Sequence, residues 1–106
     1  MSDFSETVVT PVKPAVLLTI ISETVLRERI VKLLKQQGIT GYTINQVQGE
    51  GSHGKRMGDI PGYNSNFELK TIVSPEISDV ILPLLKEQKG NHALLAYRQD
   101  VEALID

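Results

Sequence analysis

Apolar positions follow two rhythms along this chain. Residues 15–21, AVLLTII, form an apolar run interrupted only by Thr19, the pattern of a strand covered on both faces. The period then changes. ETVLRERIVKLLKQQG sets Leu26, Ile30, Leu33 and Leu34 on one helical stripe, with Arg27, Glu28, Lys32 and Lys35 mostly away from it. Ser22 is the expected N-cap, Glu23 falls in the first turn, and Gly38 is the stop. YTINQVQ, 42–48, alternates as a half-buried strand. Residues 49–66 carry no apolar period at all, and alternation returns in FELKTIV, 67–73. SPEISDVILPLLKEQKG opens a second helix, with Ser74 as N-cap and Pro75 at the first helical position. Ile77, Val80, Ile81, Leu84 and Leu85 are its expected apolar face, Pro83 should bend or weaken it, and Gly90 ends it. ALLAYRQ, 93–99, reads as a fourth strand, and VEALID as a short last strand or helical turn.

The order β-α-β, long loop, β-α-β predicts an α+β fold of the ferredoxin-like, split βαβ kind, spanning 15–106 behind a flexible lead-in at 1–14. Two helices can cover only one face of such a sheet. The first and last strands nevertheless carry apolar residues on both faces. The second face is therefore expected to meet another subunit, sheet to sheet.

Composition narrows the function classes. The chain has 106 residues, 41% hydrophobic and 23% charged, ordinary usage for a globular domain. Its net charge of −2 argues against a nucleic-acid binder, which carries a basic face. With no cysteine it can form neither a disulfide nor a thiolate metal site. The run at AVLLTII is too short to span a bilayer, and MSDFSETVVTPVKP lacks the basic start and apolar core of a signal peptide. A cytoplasmic location is expected.

The stretch 49–66, GEGSHGKRMGDIPGYNSN, holds five of the eight glycines. It joins two strands that pair antiparallel, a connection that two to five residues can make. Lengthening such a loop costs little, about 0.6 kcal/mol per doubling, so the fold tolerates this one without requiring it. Glycine lets backbone N–H groups approach a ligand, successive N–H groups can form an anion nest, and Lys55 and Arg56 can neutralise phosphate. No helix follows directly, so this is neither a P-loop nor a dinucleotide fingerprint. On these residues alone a solvated hairpin tip is an equal reading.

The segment GYTINQVQGEGSHGKR, followed by NSNFE, resembles the PII-like signalling proteins, in particular bicarbonate-transport regulators of the SbtB type. Gly41, Tyr42, Thr43, Gly49, Gly51, Ser52, Arg56, Asn64 or Asn66, Phe67 and Glu68 stand in the places of that family's motifs, and the likeness runs over roughly 15–100. The resemblance implies a homotrimer with nucleotide pockets in the clefts between subunits. It implies an adenine nucleotide as ligand (AMP, cAMP, ADP or ATP), with bicarbonate as a further candidate and a divalent cation only alongside ATP. It also implies that the long loop, the family's T-loop, engages a membrane bicarbonate transporter and so brings the protein to the inner face of the membrane. The implied nucleotide-binding residues are Gly49, Gly51, Ser52, Arg56, Asn66 and Glu68, with Gly90, Asn91, His92 and Ala93 from the turn KGNHA. His53, Lys55, Met57 and Tyr63 are the implied partner-binding positions. Two departures stand out. His53 occupies the place of the family's usual arginine, and the cysteine-bearing C-terminal loop found in many members is missing. Nitrogen-sensing PII proteins carry several basic residues near the C-terminus, where this chain has only Arg98.

Other chemistries fit less well. His53 and His92 could pair with Glu50 or Asp59 around a metal, but their spacing matches no regular ligand set. Glu68 has no second carboxylate or nucleophile at a catalytic spacing and reads as a solvated or ribose-binding group, so no enzyme is expected. Tyr63 reads equally as a partner-binding or modified aromatic and as an exposed one. Lys86, Glu87 and Lys89 read as a solvated helix end. An RNA-recognition domain shares the topology but needs stacking aromatics on its third strand, where only Phe67 stands. A small-ligand regulatory domain of the ACT type is the alternative, although it needs no eighteen-residue loop. A trimer of the CutA type is a structural cousin whose cysteine and tryptophan are missing here.

Overall fold

The structure, a computed structural model, describes residues 11–47 and 65–105. Its elements are β1 (Val12–Glu23), a 3-10 turn (Thr24–Leu26), α1 (Arg27–Gln36), β2 (Thr43–Val47), β3 (Asn66–Val73), α2 (Pro75–Lys89) and β4 (Leu94–Leu104). The four strands form one antiparallel sheet in the order β2-β3-β1-β4, the ferredoxin-like arrangement expected from the element order.

Local chemistry sets most boundaries. Ser74 caps α2, its hydroxyl accepting from the Ile77 N–H at 3.1 Å, with Pro75 where a missing N–H costs nothing. Gly38, at φ 84°, closes α1 in a Schellman turn. Its N–H reaches Lys35 O, and Ile39 N–H reaches Leu34 O, both at 3.0 Å. Ile39 and Leu34 are both buried, the apolar contact that accompanies this turn. The helix α2 runs unbroken through Pro83, which lies on its exposed side.

Several expectations need correction. β1 begins at Val12 and ends at Glu23, longer at both ends than the apolar run. Ser22 is no helix cap: it is a strand residue paired with Phe67 on one side and Leu94 on the other. Glu23, expected in the first helical turn, pairs with Asn66, and the helix starts one residue later as a 3-10 turn. The two segments 93–99 and VEALID are one strand, because β1 is long enough to pair with all of Leu94–Leu104. Val80 is exposed: it lies one helical step, about 100°, from Ile81, so the buried stripe runs through Ser78, Ile81 and Leu85 instead.

Strand side chains alternate between faces. Val16, Leu18 and Ile20 of β1 join Phe67, Leu69 and Val73 of β3 under the helices, which contribute Leu26, Ile30, Leu33, Leu34, Ile81 and Leu85. The opposite face carries Leu17 and Ile21 beside Ile72, Leu95 and Tyr97, the last three 41, 57 and 41% exposed. Thr19, at the centre of this face between Lys70 and Tyr97, is fully enclosed, and its hydroxyl has no hydrogen-bond partner. No helix among the described residues is long and apolar enough to cross a membrane.

Candidate functional site

Three consecutive residues at the end of β1 gather two distant parts of the chain. Thr24 holds Ser65, near the end of the glycine-rich stretch and the first residue described there. Its N–H reaches Ser65 O at 3.3 Å and its hydroxyl donates to the same oxygen at 2.9 Å, with the two hydroxyls 3.0 Å apart. Glu23 and Ser22 hold the turn 90–93. The Ala93 N–H donates to Glu23 Oε2 at 2.5 Å, and the Ser22 hydroxyl donates to Ala93 O at 2.8 Å. His92 places Nδ1 3.5 Å from Glu23 Oε1, and its N–H reaches Lys89 O at 2.9 Å. Gly90, at φ 55° and ψ −124°, makes the reversal that leads α2 into this turn.

The described members of the expected ligand set therefore lie at one end of the sheet. Asn66 is paired between Glu23 of β1 and Val47 of β2, and Glu68 between Ile21 and Asn45. Glu68 falls on the sheet face away from the helices, half-buried. Gly90, Asn91, His92 and Ala93 form the turn held by Ser22 and Glu23. Gly49, Gly51, Ser52, His53, Lys55, Arg56, Met57 and Tyr63 lie outside the described residues, as do Glu50, Asp59 and Asn64. Glu23, Thr24 and Ser65 escaped sequence reasoning. The one available signal was SET at 22–24, three polar residues at the end of an apolar strand, which reads more simply as a helix start.

Among the described residues no group of three His, Asp or Glu could hold a metal ion. Arg98 is engaged elsewhere, donating to Ser78 Oγ at 2.6 Å and Asp79 Oδ1 at 2.5 Å, so it ties β4 to α2. The GYT segment also serves packing: Thr71 donates to Gly41 O at 2.6 Å, and Tyr42 packs on the core. An open groove of about 480 Å³ at the start of β2, lined by Leu17, Tyr42, Thr43, Lys70, Ile72 and Ile105, continues the apolar face of the sheet.

Known proteins share this fold. The chain is similar to a PII-like signalling protein of Thermus thermophilus, at 37% identity over 88% of this chain and 92% of the other, with a TM-score of 0.73. It is also similar to CPII, a nitrogen regulatory PII-like protein of Thiomonas intermedia solved with ADP, AMP and bicarbonate. There the identity is 26% over 87% of this chain and 97% of the other, with a TM-score of 0.74. CPII bound to ADP and bicarbonate matches at 25% identity over 89 and 92%, with a TM-score of 0.76. The model of the nitrogen regulatory protein P-II family matches residues 15–103, all four strands and both helices almost to their ends, and to that family this chain belongs.

Proposed function

We propose that this protein is a PII-like signal-transduction protein that binds adenine nucleotides (AMP, cAMP, ADP or ATP) between the subunits of a homotrimer. In this reading it regulates bicarbonate uptake in the cytoplasm. The observation that carries the reading is the convergence, at the end of β1, of the strand leaving the glycine-rich stretch and the turn 90–93. One backbone region holds both, so a ligand seated against the turn also meets the root of the loop. The nucleotides and bicarbonate bound by CPII support this ligand class. Gly49, Gly51, Ser52 and Arg56 would complete the pocket with Asn66, Glu68 and residues 90–93. His53, Lys55, Met57 and Tyr63 would face a transporter at the membrane. Calorimetric titration with the four nucleotides, with and without bicarbonate, tests the reading. Saturable binding of at least one at micromolar concentration is expected, and binding of none refutes it.

The open sheet face supports assembly into the homotrimer proposed. Ile72, Leu95 and Tyr97 would leave water there, at about 25 cal/mol per Å² of apolar surface covered. Light scattering should give three times the 11.7 kDa chain mass. Leu95→Lys should give the monomer mass, since an unpaired ammonium cannot be buried in that face cheaply. A monomer mass for the unaltered protein contradicts the assembly.

A further inference from the structure

Ala93 is gripped at both ends of its residue. Glu23 Oε2 takes its N–H at 2.5 Å and the Ser22 hydroxyl gives to its C=O at 2.8 Å, across some seventy residues of sequence. The other oxygen of the same carboxylate, Oε1, faces His92 Nδ1 at 3.5 Å, longer than an ordinary N–H···O bond but close enough for its charge to favour a hydrogen on that nitrogen. The Glu23 side chain is 14% exposed and the His92 side chain 32%, so the carboxylate is the inner partner and the ring the outer one. An ionised carboxylate has no proton to donate. It can face Nδ1 favourably only if Nδ1 carries the hydrogen, and in a neutral imidazole Nε2 is then a bare acceptor.

We propose that Glu23 is a positioning residue of the ligand site, fixing the Ala93 peptide and holding His92 as the Nδ1–H tautomer so that Nε2 offers its lone pair to the ligand. The group that Nε2 takes is a hydrogen-bond donor, a hydroxyl or amino group of the nucleoside, and not a phosphate oxygen. This ligand assignment rests on the nucleotide reading above, whereas the tautomer and the grip on Ala93 do not. A carboxylate that orients a histidine in this manner is common behind metal-bound imidazoles, and the same logic applies when the outer partner is an organic ligand.

Ring nitrogen spectra of the full chain, labelled with nitrogen-15 and recorded without ligand at about pH 9, where imidazole is neutral, test the first part. His92→Gln identifies the signal. The unaltered protein should show the Nδ1–H form. Glu23→Gln keeps an oxygen for the Ala93 N–H but turns an NH2 group to the ring, so His92 should change to the Nε2–H form while Ala93 keeps its hydrogen-exchange protection. Glu23→Ala should lose that protection as well. The same tautomer in the unaltered protein and in Glu23→Gln overturns the proposal. Adenosine and AMP test the second part. Glu23→Gln should weaken both alike, by about tenfold, equivalent to one lost hydrogen bond. A loss confined to AMP, or a tautomer change with no loss for either, overturns the donor assignment. If the unaltered protein binds neither compound nor any of the other three nucleotides, the nucleotide reading fails, and the ring spectra still decide the role of Glu23.

Discussion

Arg56→Ala is expected to weaken AMP binding by roughly ten- to a hundredfold while leaving adenosine binding nearly unchanged. Lys55 and Arg56 are the only lysine or arginine between residues 49 and 66. A guanidinium can hold a phosphate through two parallel bonds, which an ammonium cannot. A charge-assisted bond of this kind is worth roughly 1.5–3 kcal/mol, and adenosine has no phosphate to make it. Comparing the two ligands on one variant separates lost charge from lost shape. Equal losses for adenosine and AMP would make Arg56 a support of the pocket wall. No loss for either would move the phosphate to Lys55, His53 or backbone N–H groups. Glu23→Gln makes the opposite forecast, a loss shared by both ligands, so the two variants together divide the pocket into a phosphate end and a nucleoside end.

The second large effect is on stability. Phe67→Ala should destabilise the protein by about 3–5 kcal/mol, a large part of the ordinary 5–15 kcal/mol of a domain this size. Phe67 is 2% exposed, pairs with Ser22 of β1, and packs with Leu18, Ile20 and Leu69 in the core. Its removal leaves a cavity that a sheet paired on both sides cannot close. The urea midpoint should fall with little change in slope. Val80→Ala, on the exposed side of α2, should move it hardly at all. A midpoint for Phe67→Ala within the error of the Val80→Ala value would mean that the core repacks around the missing ring.

The fold was legible because periodicity reports burial, and burial here is nearly two-layered. The stripe Ile30, Leu33, Leu34 and the alternation Phe67, Leu69, Val73 each name one side of the same core. Caps were legible where chemistry is local, as at Ser74 and Gly38. Ser22 and Glu23 misled because their partners are remote. A serine and a glutamate before a helical stripe satisfy every local rule for a helix start, but Phe67, Leu94 and Ala93 lie far along the chain. Pairing on both sides kept Ser22 extended, and the Ala93 N–H engaged the carboxylate of Glu23. The same remoteness hid half of the candidate site. Residues 66 and 90–93 could be named from motif resemblance, whereas Glu23, Thr24 and Ser65 enter only through contacts across the sheet.

The sheet order carries a consequence for biosynthesis. β1 is the first of the described strands to be made, and its two neighbours are β3 and β4, with Val12 facing Leu104. While the ribosome is still working through α2, β1 has at most one of its edges covered, and Leu17 and Ile21 have no Leu95 or Tyr97 beside them. Pairings this distant in sequence close slowly, because the loop must be ordered before any contact rewards it. The nascent chain therefore emerges with an apolar central strand that stays half-open until β4 is released. That strand is the segment most exposed to wrong partners during synthesis and the natural place for a chaperone to hold the chain.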